Sequence, residues 1–208
     1  MKNLHSFVKK LIDLLRYMRF LSAKLSEEKA ILKKIKIYKT SRIELPFFQI
    51  DGPEYITIGN DSSIGKNAWL SCYNEYNRVK DNPKLKIGNN VRIGNYACIT
   101  LIGEVEIGDG CLFSDYAYIS DHTHGFNPEI RTPLMQQPLE YLGSVSIGND
   151  CFLGMRVSIL PNVSLGNNCV VGSHSVVTKS FPSYSMIAGV PARLIKRYSL
   201  EEKKWLQV

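Results

Sequence analysis

Residues 147–177 read IGNDCFLGMRVSILPNVSLGNNCVVGSHSVV, and this stretch decides the fold. An aliphatic residue returns every six positions: Ile147, Leu153, Ile159, Leu165, Val171 and Val177. Four places after each comes a small or β-branched residue, as at Cys151, Val157, Val163, Cys169 and Ser175. Positions i and i+4 are an even step apart, so in extended chain they point to one face. Gly148, Gly154, Gly166 and Gly172 follow four of these residues, and Asn149-Asp150 and Asn167-Asn168 come next. Gly, Asn and Asp tolerate the left-handed backbone that a sharp corner requires. One short strand and one corner therefore make a repeat unit. Successive units turn in one sense, and three of them close a triangular coil.

The same phase extends toward the N-terminus. Ile58, Ile64, Leu70; Ile87, Ile93, Ile99; and Ile107, Phe113, Ile119 bring the total to fifteen positions in five sets of three. Gly follows the apolar residue at nine of them. Five coils stacked as parallel sheets, about 4.8 Å apart, give a mainly β prism. Cys111, Cys151 and Cys169 fall on inward small positions and read as core residues, not as ligands or nucleophiles. Cys72 and Cys98 fit neither position and read as loop or surface residues. Two excursions interrupt the phase, at residues 71–86 and at residues 122–144. Long loops on a rigid coil are where binding and chemistry concentrate.

Charge separates the two ends of the chain. The 208 residues carry a formal net charge of +7, but residues 1–42 alone hold 12 Lys/Arg against 3 Asp/Glu. The remainder is slightly acidic, so the body offers no electrostatic reason to bind nucleic acid. The five cysteines are odd in number and lack a CxxC pair, which argues against a disulfide framework and a zinc ribbon. Leu4, Phe7, Leu11, Leu14, Leu15, Met18, Leu21 and Leu25 follow helical spacing, with Lys9, Lys10, Arg16 and Arg19 mostly opposite. Ser26 before Glu27 and Glu28 predicts a second helix over 27–38. The arm reads either as a helix packed on protein or as a basic amphipathic contact to an anionic membrane through residues 1–40. Asp13, Arg16 and Arg19 break its apolar run, so no signal peptide and no transmembrane span is expected. The expected location is cytoplasmic, with peripheral attachment to the inner membrane under the second reading. The expected domains are the arm at 1–42, the coil at 43–198 and a short helix at 199–208, where Ser199-x-x-Glu202 has the form of a capping box.

Chemistry points to Ser120-Asp121-His122-Thr123-His124-Gly125, where the third coil ends and the long loop begins. Imidazole is the natural base near neutral pH, and two of the four histidines sit here. From spacing alone such a pair serves as base, as metal ligand or as neither. Asp121 either orients an imidazole or simply makes the turn.

The stretches SDHTHGFNP (120–128), GSVSIGNDCFLGMRVSILPNVSLGNNCVVGSHSVVTKSFP (143–182) and IAGVPARLIKRY (187–198) resemble the hexapeptide-repeat acyltransferases. The likeness spans residues 55–198 and is strongest to the branch of maltose, galactoside and nodulation-factor acetyltransferases and polysaccharide O-acetyltransferases. It implies a left-handed parallel β-helix, a homotrimer with sites between subunits, and acetyl transfer from acetyl-CoA to a sugar hydroxyl, with no metal. It carries the base onto His124, five residues past Ile119, with His122 as the runner-up. It places an oxyanion donor at the Met155 N–H. Coenzyme contacts map to Met155, Ser173, Thr178, Lys179, Arg193 and Lys196. Relatives often have Trp-Ile-Gly where this chain has Phe152-Leu153-Gly154, so an indole N–H contact is missing here. The other readings are an N-acetyltransferase on an amino sugar, a small-molecule acetyltransferase, a γ-type carbonic anhydrase using His122, His124 and His174, and a silent scaffold.

Overall fold

A computed structural model describes residues 2–76, 79–80 and 82–208. Asn77, Arg78 and Asp81, part of the expected 71–86 loop, lie outside the described residues. One helix, Lys2–Leu32, precedes three sheets of stacked parallel strands. The first sheet runs from Lys36–Ile37 through Ile56–Ile58, Lys84–Ile87, Glu104–Ile107 and Val145–Ile147 to Ser164–Leu165. The second begins at Arg42–Ile43 and stacks Ser63–Ile64, Arg92–Ile93, Leu112–Phe113, Phe152–Leu153, Val170–Val171 and Ser185–Gly189. The third holds Gln49–Asp51, Trp69–Cys72, Cys98–Leu101, Tyr118–Ser120, Ser158–Ile159 and Val176–Val177. Each turn of chain visits the sheets in that order. All fifteen apolar repeat residues point inward, none more than 2% exposed.

The corners show why Gly and Asn recur together. The Asn60 N–H donates to Asn89 Oδ1 at 2.8 Å, Asn89 N–H to Asp109 Oδ1 at 2.7 Å, Asp109 N–H to Asn149 Oδ1 at 2.8 Å, and Asn149 N–H to Asn167 Oδ1 at 2.8 Å. Each coil is thus tied to the next by a side-chain ladder along one edge of the prism. A Cβ on Gly88 would sit 2.3 Å from Asp109 Oδ1, so the ladder requires glycine before its amide rung.

Three expectations need correction. First, the coil begins before residue 43. Ile37, Ile43 and Ile50 stack on Ile58, Ile64 and Leu70, which adds a turn of coil below the five expected. Its corners are built from Lys39-Thr40 and Leu45-Pro46 in place of Gly-Asn, and its apolar spacing is six and then seven, so the periodic signal is lost there. Second, the helix does not break at Ser26 but continues to Leu32, and residues 36–37 are strand. Ile31 and Leu32 pack against the coil core and hold its end, while residues 10–20 are exposed. Third, the C-terminus is an antiparallel hairpin, Ala192–Ser199 with Lys204–Gln207, and not a helix. The Glu202 N–H does donate to Ser199 Oγ at 3.1 Å, but the bond closes a turn with Lys203 at φ 53°. Cross-strand packing of Tyr198 on Trp205, with ring centroids 5.4 Å apart, outweighs the capping signal. Among the described residues, no helix is long and apolar enough to cross a membrane.

Candidate active site

The third sheet carries two outward columns that strand pairing aligns. Trp69, Cys98 and Tyr118 stack in one, and Ser71, Thr100 and Ser120 in the other. Trp69, Cys98, Tyr118, Thr100 and Ser120 form the floor of one cavity. Tyr73 and Tyr76 from the first excursion form one wall. His122, Thr123, His124 and Leu139 from the second form the other. Two loops separated by two entire coils in sequence therefore meet over one patch of sheet. The second loop is shaped by an antiparallel ribbon, His122–His124 against Leu139–Tyr141. Gly125 closes it: its N–H donates to Pro138 O at 3.0 Å, and a Cβ would lie 2.7 Å from that oxygen.

The two histidines have different surroundings. Asp121 is fully buried and accepts from the Ile102 N–H at 3.0 Å and the Gly103 N–H at 2.8 Å. Nδ1 of His122 lies 2.9 Å from Asp121 Oδ1, and the His122 side chain is only 8% exposed. A carboxylate accepts, so Nδ1 donates the proton of this contact. Ser120 Oγ donates to the His122 carbonyl at 2.9 Å. His124 follows two residues later in the same ribbon strand, exposed at the rim, with its ring 5.8 Å from that of Tyr76. Asp121 therefore locks the turn and the His122 ring, while His124 stands exposed at the opening against Tyr76.

The expected coenzyme residues lie elsewhere, and none of them lines the histidine cavity. Met155 and Ser173 occupy equivalent corners of successive coils, where the His174 N–H donates to Met155 O at 2.8 Å. The Met155 N–H itself has no hydrogen-bond partner among the described residues. Thr178 and Lys179 follow the last strand of the third sheet, and Lys179 Nζ lies 5.6 Å from the Phe181 ring centroid. Arg193 and Lys196 belong to the hairpin. No carboxylate pairs with Lys179, Arg193 or Lys196 among the described residues, and Arg193 Nη1 donates to Ala192 O at 3.0 Å. His174 sits at a corner with φ 59° and is not in the cavity.

Both unexplained cysteines are also placed. Cys72 is buried in the core, not at the surface, and burial pushes its thiol up to about 12. Cys98 is half-buried in the cavity floor, where burial pushes its thiol up to about 11. Trp69, Tyr118, Tyr73 and Tyr76 were not expected at a site. A signal for two of them is nonetheless present: Trp69 and Tyr118 are large aromatics in the slot just before the inward residue, which faces outward and elsewhere, Phe152 of the second sheet apart, is small, polar or aliphatic.

A hexapeptide coil with a histidine pair on an excursion beside a sheet-floored cavity defines a class, the hexapeptide-repeat transferases. The family described as bacterial transferase hexapeptide (six repeats) matches residues 144–179. The galactoside O-acetyltransferase of Escherichia coli (strain K12) is 31% identical over 152 residues, covering 69% of this chain and 68% of that protein. The chain belongs to this family. It is also 38% identical over 122 residues, 56% of its length and 62% of the other's, to the putative lipopolysaccharide biosynthesis O-acetyl transferase WbbJ of Escherichia coli (strain K12). The chain spans about three fifths of the length of the first curated relatives it matches. Among solved structures it is similar in fold to AntD, an N-acyltransferase from Bacillus cereus in complex with dTDP and 3-hydroxybutyryl-CoA. That likeness has a TM-score of 0.62 at 21% identity, over 85% of this chain and 90% of that one.

Proposed function

We propose that this protein is an acetyl-CoA-dependent O-acetyltransferase acting on a sugar hydroxyl in the assembly of a surface polysaccharide. Its coil is left-handed, and it works as a homotrimer. The observation that carries the reading is the loop histidine pair opening into a cavity of aromatic rings and hydroxyls on the outer face of a hexapeptide coil. The family relatives named as O-acetyltransferases support it. His124 is the base. It takes the proton of the acceptor hydroxyl, the oxygen bonds to the acetyl carbonyl carbon, and the carbon–sulfur bond breaks. The departing thiolate recovers the proton from the imidazolium. The Met155 N–H receives the oxyanion, and Lys179, Arg193 and Lys196 hold the phosphates of the coenzyme. Within one chain these residues stand apart from the histidine cavity, which favours a site completed by a neighbouring copy. Asp121 and His122 position the loop.

The 2.9 Å Asp121–His122 contact favours a specific second reading, in which His122 is the base and Asp121 its orienter. Separate alanine variants at 122 and 124 decide between the two.

Acetyl-CoA turnover against free, nucleotide-linked and lipid-linked sugars tests the reaction class. CoA release that rises with a sugar acceptor supports it, and release indifferent to every acceptor opposes it. The helix serves to bring the cytoplasmic enzyme to the inner membrane. It exposes Leu14, Leu15, Met18 and Phe20 beside Arg16 and Arg19. Co-flotation with anionic vesicles should be lost when residues 1–30 are removed. Equal flotation with and without them opposes this role.

A further inference from the structure

The cavity floor has a feature that the transfer chemistry does not require. Strand pairing sets Trp69, Cys98 and Tyr118 on consecutive rungs of one outward column. Trp69 and Tyr118 are therefore two rungs apart, roughly 9.6 Å, with a small side chain between them. A saturated ring lying between two aromatic faces needs about 3.5–4.0 Å on each side. The slot thus holds one ring, and Cys98 leaves room for its edge.

The indole is also fixed from behind. Trp69 Nε1 donates to Ser71 Oγ at 2.6 Å, and Ser71 Oγ donates to Asp51 Oδ2 at 2.6 Å. Gln49 Nε2 donates to the same carboxylate oxygen at 2.6 Å, and Phe48 packs against the indole with centroids 5.4 Å apart. The only polar atom of the indole is thereby committed to the protein. What Trp69 offers the cavity is an apolar surface, which suits the C–H face of a sugar and not its hydroxyls. The Thr100 hydroxyl lies in the adjacent column, beside Ser120, whose own hydroxyl is committed to the His122 backbone. No Asp, Glu, Lys or Arg side chain lines the cavity among the described residues. An ammonium on the ring would therefore enter without a counter-charge, and a carboxylate would find only the imidazoles of His122 and His124, so each enters at a desolvation cost.

We infer that the acceptor group is an uncharged pyranose, inserted edge-on between Trp69 and Tyr118 with Cys98 at the bottom of the slot. This rests on the reading of the cavity as a sugar-acceptor site, and it assigns Trp69 and Tyr118 as specificity-determining residues. It also favours a hydroxyl over an amino group as the acetylated position.

The chain has two tryptophans, Trp69 and Trp205, so Trp205→Phe leaves Trp69 as the sole indole reporter. The full-length variant is titrated with methyl α-glucopyranoside, methyl α-mannopyranoside and methyl β-galactopyranoside, and in parallel with glucosamine and glucuronate. The expected result is a saturable change in Trp69 emission with at least one neutral glycoside and none with the two charged sugars. Tyr118→Ala in the same background should weaken that binding about tenfold, and Cys98→Phe, which fills the slot, should abolish it. The inference is overturned if no neutral pyranoside perturbs Trp69, if a charged sugar binds as tightly, or if Cys98→Phe binds like its parent. Acetyl transfer is not read in this experiment. Saturable binding without any transfer would sink the enzymatic reading alone, and transfer to an acceptor that leaves Trp69 silent would sink the clamp alone.

Discussion

Asp121 and His124 lie three residues apart and make opposite predictions. The Asp121 carboxylate is buried and holds the Ile102 and Gly103 N–H groups, which have no other partner among the described residues. Asp121→Ala should lower stability to urea by about 2–4 kcal/mol, since it strands buried donors. His124→Ala removes an exposed ring and should stay within about 0.5 kcal/mol of the parent. Urea titration of both variants checks this; equal losses would show that the two residues share a structural role. Cys98 gives a third test. Its thiol, pushed up to about 11, is almost wholly neutral at pH 8, and the thiolate is the nucleophile. At pH 8 iodoacetamide should label Cys98 roughly a hundredfold more slowly than free cysteine, with the rate rising tenfold per pH unit up to about pH 11. Mass spectrometry of the labelled peptide over time measures it.

Single elements show what the sequence made readable and what it did not. Strands whose corners carry Gly-Asn or Gly-Asp could be placed without a structure, because both the inward apolar residue and the corner leave a mark. The strands at 36–37, 42–43 and 49–51 leave only the first mark, and at uneven spacing, so this coil merged with the arm. The C-terminal hairpin was hidden by a local signal, Ser199-x-x-Glu202, whose hydrogen bond forms in a turn as readily as in a helix. Long-range packing of Tyr198 on Trp205 decides the outcome, and no local pattern reveals it. The histidine pair was evident because histidines are few. The aromatic floor was not, since Trp69 and Tyr118 are 49 residues apart in sequence and only two rungs apart in the sheet. The corner ladder has its own test. Gly88→Ala places a methyl group against Asp109 Oδ1 and should cost about 1–3 kcal/mol, read as a lowered midpoint in thermal or urea unfolding. An unchanged midpoint would mean that the ladder does not require close approach.

At the scale of the molecule, the net charge of +7 is concentrated at the N-terminal end: the helix Lys2–Leu32 holds 7 Lys/Arg against 3 Asp/Glu, and the five cations at residues 33–42 lie between it and the first turn of coil or within that turn. The coil is a rigid stack of parallel strands with a buried aliphatic column, and its two loops turn one patch of outer sheet into a cavity. Lys179, Arg193 and Lys196, the cations proposed to hold the coenzyme, stand nearer the C-terminal end and do not line that cavity in the single chain. Such a division of labour predicts that activity depends on assembly. Dilution below the concentration at which oligomers persist should abolish turnover, and sedimentation run in parallel with the rate checks that the two losses coincide. The central claim is narrower still: an imidazole on the second loop activates a sugar hydroxyl against acetyl-CoA. Sugar-dependent release of CoA, measured for the parent, His124→Ala and His122→Ala at saturating acetyl-CoA, tests it most directly. The account predicts a fall of about 10²–10⁴-fold for His124→Ala and a smaller one for His122→Ala. A His124→Ala variant that releases CoA at the parent rate would contradict it.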